Sequence, residues 1–68
     1  MIEITGLNAR QAMIADMLWE APTMKDVAAI VQAIGPDAAV VRDMLVAATY
    51  DEFAETDLAE DILRKFRL

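Results

Sequence analysis

The densest group of chemically capable side chains in this sequence is acidic. Between Asp51 and Asp61 lie Asp51, Glu52, Glu55, Asp57, Glu60 and Asp61 with no base among them, so eleven residues carry six negative charges. Carboxylates this close can hold a hard cation, share a proton as a hydrolytic pair, or face a basic partner. An EF-hand loop takes oxygen ligands at positions 1, 3 and 5 and glycine at position 6. Counted from Asp51, position 3 is Phe53 and position 6 is Thr56, so calcium of that kind is excluded. A paired-carboxylate hydrolase needs a cleft, which a chain of 68 residues has little room to build. Histidine and cysteine are absent, which removes imidazole and thiolate metal sites, disulfides and every Ser-His or Cys-His nucleophile. The chain is therefore expected not to be an enzyme, with no catalytic residue, no cofactor and no metal. Added calcium, magnesium or zinc is expected to leave its thermal stability unchanged.

Recognition by charge is the third option. Twelve Asp and Glu against six Lys and Arg give a net charge of −6, a balance that repels nucleic acid phosphates and anionic membranes and favours basic partners. The acidic segment is either a ridge that docks such a partner or a helix junction with its polar residues in water, which is what most charge runs are. No apolar run approaches the roughly 18 residues of a membrane span. Glu3 stands where a signal peptide carries a base. A cytoplasmic protein is the expectation.

The elements that must position these residues are helical. Asn8 with Gln11 at the third helical position forms a capping box, and the first helix is expected over residues 9–20. Its broad apolar face carries Ile14, Met17, Leu18 and Ala21, with Ala15 and Trp19 on a flank. Pro22 stops it. Thr23 with Asp26 caps a second helix over 24–34, whose apolar residues Met24, Val27, Ile30, Val31 and Ile34 recur at three and four residue steps. Gly35-Pro36 ends that helix and opens a third over 37–50, with an extension to Phe53 allowed. Thr56 caps a fourth over 57–66, with acids in its first turns, bases in its last, and i,i+4 pairs Glu60–Arg64 and Asp61–Lys65. Residues 2–5 alternate like a strand but have no partner strand, so they are read as an extended arm. The fold class is all-α: one domain, residues 1–68, a compact bundle of about four short helices with a short extended N-terminal arm. Leu18, Val27, Val31, Ile34, Val41, Met44, Leu45, Leu58, Ile62 and Phe66 are its expected core, most methionines are core by spacing with Met13 the exception, and Trp19 belongs with the core.

The third helix is apolar on two sides. Val40, Val41, Met44, Leu45, Ala47 and Ala48 form one face, while Ala39, Val46, Tyr50 and Phe53 cluster on the other, with Arg42 and Asp43 beside them. Such a helix either sits at the centre of the fold or is shared with a second chain. The candidate protein interface is accordingly Val46, Tyr50 and Phe53 with the neighbouring acids Asp51, Glu52 and Glu55. The second and third helices with their tight turn are also spaced like a DNA-binding helix-turn-helix, against which the net negative charge argues.

The opening Met1-Ile2-Glu3-Ile4-Thr5-Gly6-Leu7, the block Ala15-Asp16-Met17-Leu18-Trp19, the stretch from Asp37 to Met44 and the run from Asp51 to Glu60 together resemble small acidic helical proteins of T7-like tailed phages, including phages of marine bacteria. The resemblance spans nearly the whole chain. That group carries no assigned activity, so no site residue transfers. The resemblance implies a viral accessory protein in the host cytoplasm that acts by binding a host or phage protein. The expected function is thus a small acidic protein-binding or regulatory module. The alternatives are a nucleic-acid-associated helix-turn-helix regulator and a self-assembling structural subunit.

Overall fold

The computed structural model describes residues 4–54 and 56–66, and these form a small all-α bundle. Its helices are α1 (Ala9–Glu20), α2 (Met24–Ile34), α3 (Pro36–Phe53) and α4 (Asp57–Leu63), the last running directly into a single 3-10 turn, Arg64–Phe66. No strand occurs among the described residues. The arm expected over residues 2–5 falls partly outside them; from Ile4 to Leu7 the chain is non-helical, turns at Thr5 and Gly6, and lays Ile4 and Leu7 against the core.

Three of the four helix starts, those of α1, α2 and α4, are built by a local side chain. The Asn8 carboxamide oxygen accepts the Gln11 amide at 2.8 Å while Gln11 Oε1 accepts the Asn8 amide at 3.0 Å, so two orphan donors are satisfied reciprocally. Thr23 Oγ1 accepts the Asp26 amide at 3.2 Å and donates its own proton to the Asp26 carboxylate at 2.7 Å. Thr56 Oγ1 accepts the Ala59 amide at 3.3 Å. Between α2 and α3 a single residue makes the corner. Gly35 has φ +97°, closes α2 through its amide to Val31 O at 2.8 Å, and hands the chain to Pro36 at the first position of α3. Any other residue type meets a steric penalty at that φ.

Helix α3 is the hub: α1, α2 and α4 all pack against it. It buries Ala38, Val41, Leu45 and Thr49, which meet Ile14, Ala15 and Leu18 of α1, Val27 of α2, and Leu63 and Phe66 in one core cluster, Thr49 excepted. Thr49 is a buried polar residue whose hydroxyl donates to Leu45 O one turn earlier at 2.8 Å, so no polar group is orphaned there. Ala15, Ala38 and Ala59 are wholly inaccessible; small side chains at those points let the helix axes approach.

Three expectations are corrected. Leu58 is 54% exposed rather than core. The face that α4 buries is Ala59, Leu63 and, in the 3-10 turn, Phe66, and Leu58 lies about 100° around the helix from Ala59. Among the described methionines Met13 is exposed as expected, but Met17 and Met24 are exposed too and Met44 is only half-buried; on α1 the smaller Ala15 takes the inner position next to Ile14 and Leu18. The helical ion pairs also differ. Arg64 reaches Asp61 at 3.1 Å, three residues back, as the backbone tightens into the 3-10 turn. Glu60 and Lys65 turn to other helices. Of the remaining expected core residues, Leu18, Val27, Val41, Leu45 and Phe66 are buried, and Val31, Ile34, Met44 and Ile62 are half-buried.

Candidate functional site

The C-terminal half of α3 carries the expected interface residues. Val46 and Tyr50 are half-buried and pack against the chain's own core cluster. The Tyr50 hydroxyl donates to Glu60 Oε1 on α4 at 3.3 Å, so this edge of α3 faces α4. Arg42, one turn before Val46, keeps only 16% of its side chain exposed, and its Nε meets the Asp43 carboxylate at 3.5 Å. The second apolar side of α3 is therefore largely filled from within. Phe53 is half-buried and outside that core cluster, and Asp51 and Glu52 are exposed beside it. Glu55 lies outside the described residues. What this end of α3 offers a partner is Phe53 with two carboxylates on a helix C-terminus.

The acidic segment is dispersed rather than convergent. Asp57 and Asp61 are exposed on α4 while Glu60 turns inward to Tyr50. Among the described residues no three carboxylates converge as a metal-binding group.

A cleft of about 420 Å³ opens where the α1–α2 turn meets the 3-10 turn, lined by Pro22, Thr23, Met24, Asp61, Arg64 and Lys65. Only one of those residues, Asp61, is a carboxylate, so no pair of carboxylates spans it. Its wall is structural: the Lys65 ammonium donates to Ala21 O at 2.8 Å and also to Trp19 O, occupying carbonyls at the end of α1 that lack helical partners. The same ammonium lies 5.8 Å from the Trp19 ring centroid and 5.1 Å from that of Phe66, a cation held over aromatic surface. Burial lowers the Lys65 pKa from its ordinary value of 10.5, and the Glu20 carboxylate partly offsets this. This clasp was missed by sequence reasoning, which paired Lys65 with Asp61; a lysine near the chain's end gives no local sign of which distant carbonyls it will meet.

Among the described residues no helix is long and apolar enough to cross a membrane. Comparison of the chain with protein-family models, with curated proteins and with solved structures finds no match in any of the three.

Proposed function

We propose that this protein is a small acidic protein-binding or regulatory module, a phage accessory protein that acts in the host cytoplasm by contact with a host or phage protein. The observation that carries the binding role is the surface. The bundle closes its core with its own helices, yet leaves Met13, Met17, Met24, Val40 and Leu58 exposed on a chain of net charge −6. Large apolar side chains left in water on a predominantly acidic protein are equipment suited to a recognition surface. The viral setting rests on the resemblance of the four sequence blocks alone.

A helix-turn-helix role gains nothing from the geometry. The helix that would enter the major groove is α3, which is packed by three neighbours and shows Asp37, Val40, Asp43 and Ala47 to solvent, none of them a phosphate or base-edge donor.

The test is affinity capture from bacterial lysate with the intact tagged protein, at low and at high salt. A discrete partner retained at low salt and weakened at high salt is expected. Retention of nothing beyond a tag-only control, or salt-dependent retention of DNA alone, overturns the reading.

A further inference from the structure

Two rows of side chains run along the outer edges of α1 and α3. On α1, Arg10, Met13, Met17 and Glu20 recur at three and four residue steps and so share one edge. Met13 is 59% and Met17 43% exposed. On α3 the row is Asp37, Val40, Met44, Ala47 and Asp51, with Val40 53% exposed and Met44 half-buried. The helices pack against each other, and Arg10 Nε meets Asp37 Oδ2 at 3.2 Å, so the rows begin together at an ion pair. The α3 row ends at Asp51, one of the acids of the candidate site. Neither row contains a residue that its helix buries in the core.

We propose that this α1–α3 seam, with Met13, Met17, Val40 and Met44 as its apolar floor, docks a basic amphipathic helix of a partner protein. The proposal rests on the protein-binding reading above and gives it a surface and a ligand class. Methionine suits such a floor, because its unbranched, polarizable side chain re-packs around different apolar anchors. Charge selects the ligand. Asp16 and Glu20 on α1, and Asp43, Asp51 and Glu52 on α3, are exposed. The bases on these helices, Arg10 and Arg42, already meet Asp37 and Asp43. The C-terminus of α3 adds the negative end of its dipole beside Asp51 and Glu52. A helix with an apolar stripe and flanking lysine or arginine satisfies both features, in the helix-in-groove manner. A second copy of this chain does not: two-fold pairing through the same patch sets one predominantly acidic surface against another, with Arg10 and Arg42 already paired within each copy.

The probe is a synthetic peptide of about 18 residues, five helical turns, with leucine at i, i+3, i+4 and i+7 and lysine elsewhere. A scrambled peptide of the same composition is the control. Calorimetric titration of the intact protein should show saturable binding that prefers the patterned peptide. Met13→Ser with Met17→Ser, and separately Val40→Ser, should each weaken it by about tenfold. Leu58→Ser, at an equally exposed apolar residue on α4, should leave it unchanged. None of these variants changes net charge, and circular dichroism establishes that each remains folded. Equal binding of the two peptides, wild-type affinity in the seam variants, or an equal loss with Leu58→Ser overturns the proposal. So does a dimer, seen by sedimentation, that Met17→Ser dissolves. If the lysate partner is still captured by the Met13→Ser, Met17→Ser protein, the seam is wrong and the protein-binding reading stands; if the wild type captures nothing, that reading itself fails.

Discussion

The two flanks of α3 look alike in sequence and end differently. One carries Val46 and Tyr50, the other Val40 and Met44, and both are apolar rows at helical spacing. The first is taken up by the chain itself, with Tyr50 tied to Glu60 on α4, while the second stays at the surface beside α1 with Val40 more than half exposed. The contrast teaches that an apolar stripe records a need for cover without saying who supplies it. What decides is where the neighbouring helix lands. Helix α4 presents Ala59, Leu63 and the inward Glu60 to the bundle, whereas α1 turns Ile14, Ala15 and Leu18 inward and leaves its methionines at the rim.

The largest expected effect breaks the hub that both flanks share. Leu45 is fully buried at the centre of α3, and Leu45→Ala should cost about 2–5 kcal/mol through lost burial and the cavity left behind. In a domain of marginal stability that removes most of the cooperative melting transition, measured by circular dichroism. An intact transition near the wild-type midpoint would mean that α3 is not the hub.

The comparison itself is tested by a pair of charge substitutions. Val46→Glu places a carboxylate against the chain's own core and should destabilise by about 1–3 kcal/mol, while Val40→Glu should stay within about 0.5 kcal/mol. Urea melts of both variants give the ratio. Equal losses would place the seam inside the core, and a harmless Val46→Glu would return that flank to the surface.

Lys65 joins the C-terminal turn to α1, and Lys65→Met should cost about 1 kcal/mol by removing the donors to the Trp19 and Ala21 carbonyls. Its pH dependence has a defined sign. Folding lowers the Lys65 pKa, so the unfolded chain binds the proton more tightly, and stability rises with pH across the window between the lowered value and the ordinary 10.5. Below that window the contribution is flat. Denaturant melts from neutral to alkaline pH should show the difference between wild type and Lys65→Met widening upward in that window; a difference that narrows contradicts the burial of the ammonium.

The smallest effect concerns the end of α3. Ala54 has φ +53°, a region that costs a residue with Cβ and costs glycine little. Ala54→Gly should therefore stabilise by about 0.5 kcal/mol despite the extra freedom it gives the unfolded chain. A lower melting temperature would show that the turn into α4 does not require that backbone geometry.

Legibility followed the range of the interaction. The caps at Asn8, Thr23 and Thr56 and the stop at Gly35-Pro36 are settled within four residues, and each is visible in the spacing of side chains that can reach their own backbone. The candidate site was legible only in part. Asp51 and Glu52 are at the surface as their types suggest and Phe53 is half-buried, whereas Val46 and Tyr50 are claimed by partners distant in sequence. Thr49 went unread as a core residue because a hydroxyl gives no apolar signal until its bond to Leu45 O is seen.

By itself the sequence determined the helical class, the helix starts, the sharp corner at Gly35, the acidic balance and the absence of imidazole and thiol, since these depend on composition and on contacts between near neighbours. Tertiary structure alone decided that Ala59 and Leu63 rather than Leu58 face inward, that Met17 and Met24 stay at the surface, that Lys65 clasps the end of α1, and which flank of α3 is covered. The physical reason is that helical periodicity fixes the relative angles of side chains around one axis but not the rotation of that axis against its neighbours. That rotation is set by close packing of all the helices at once.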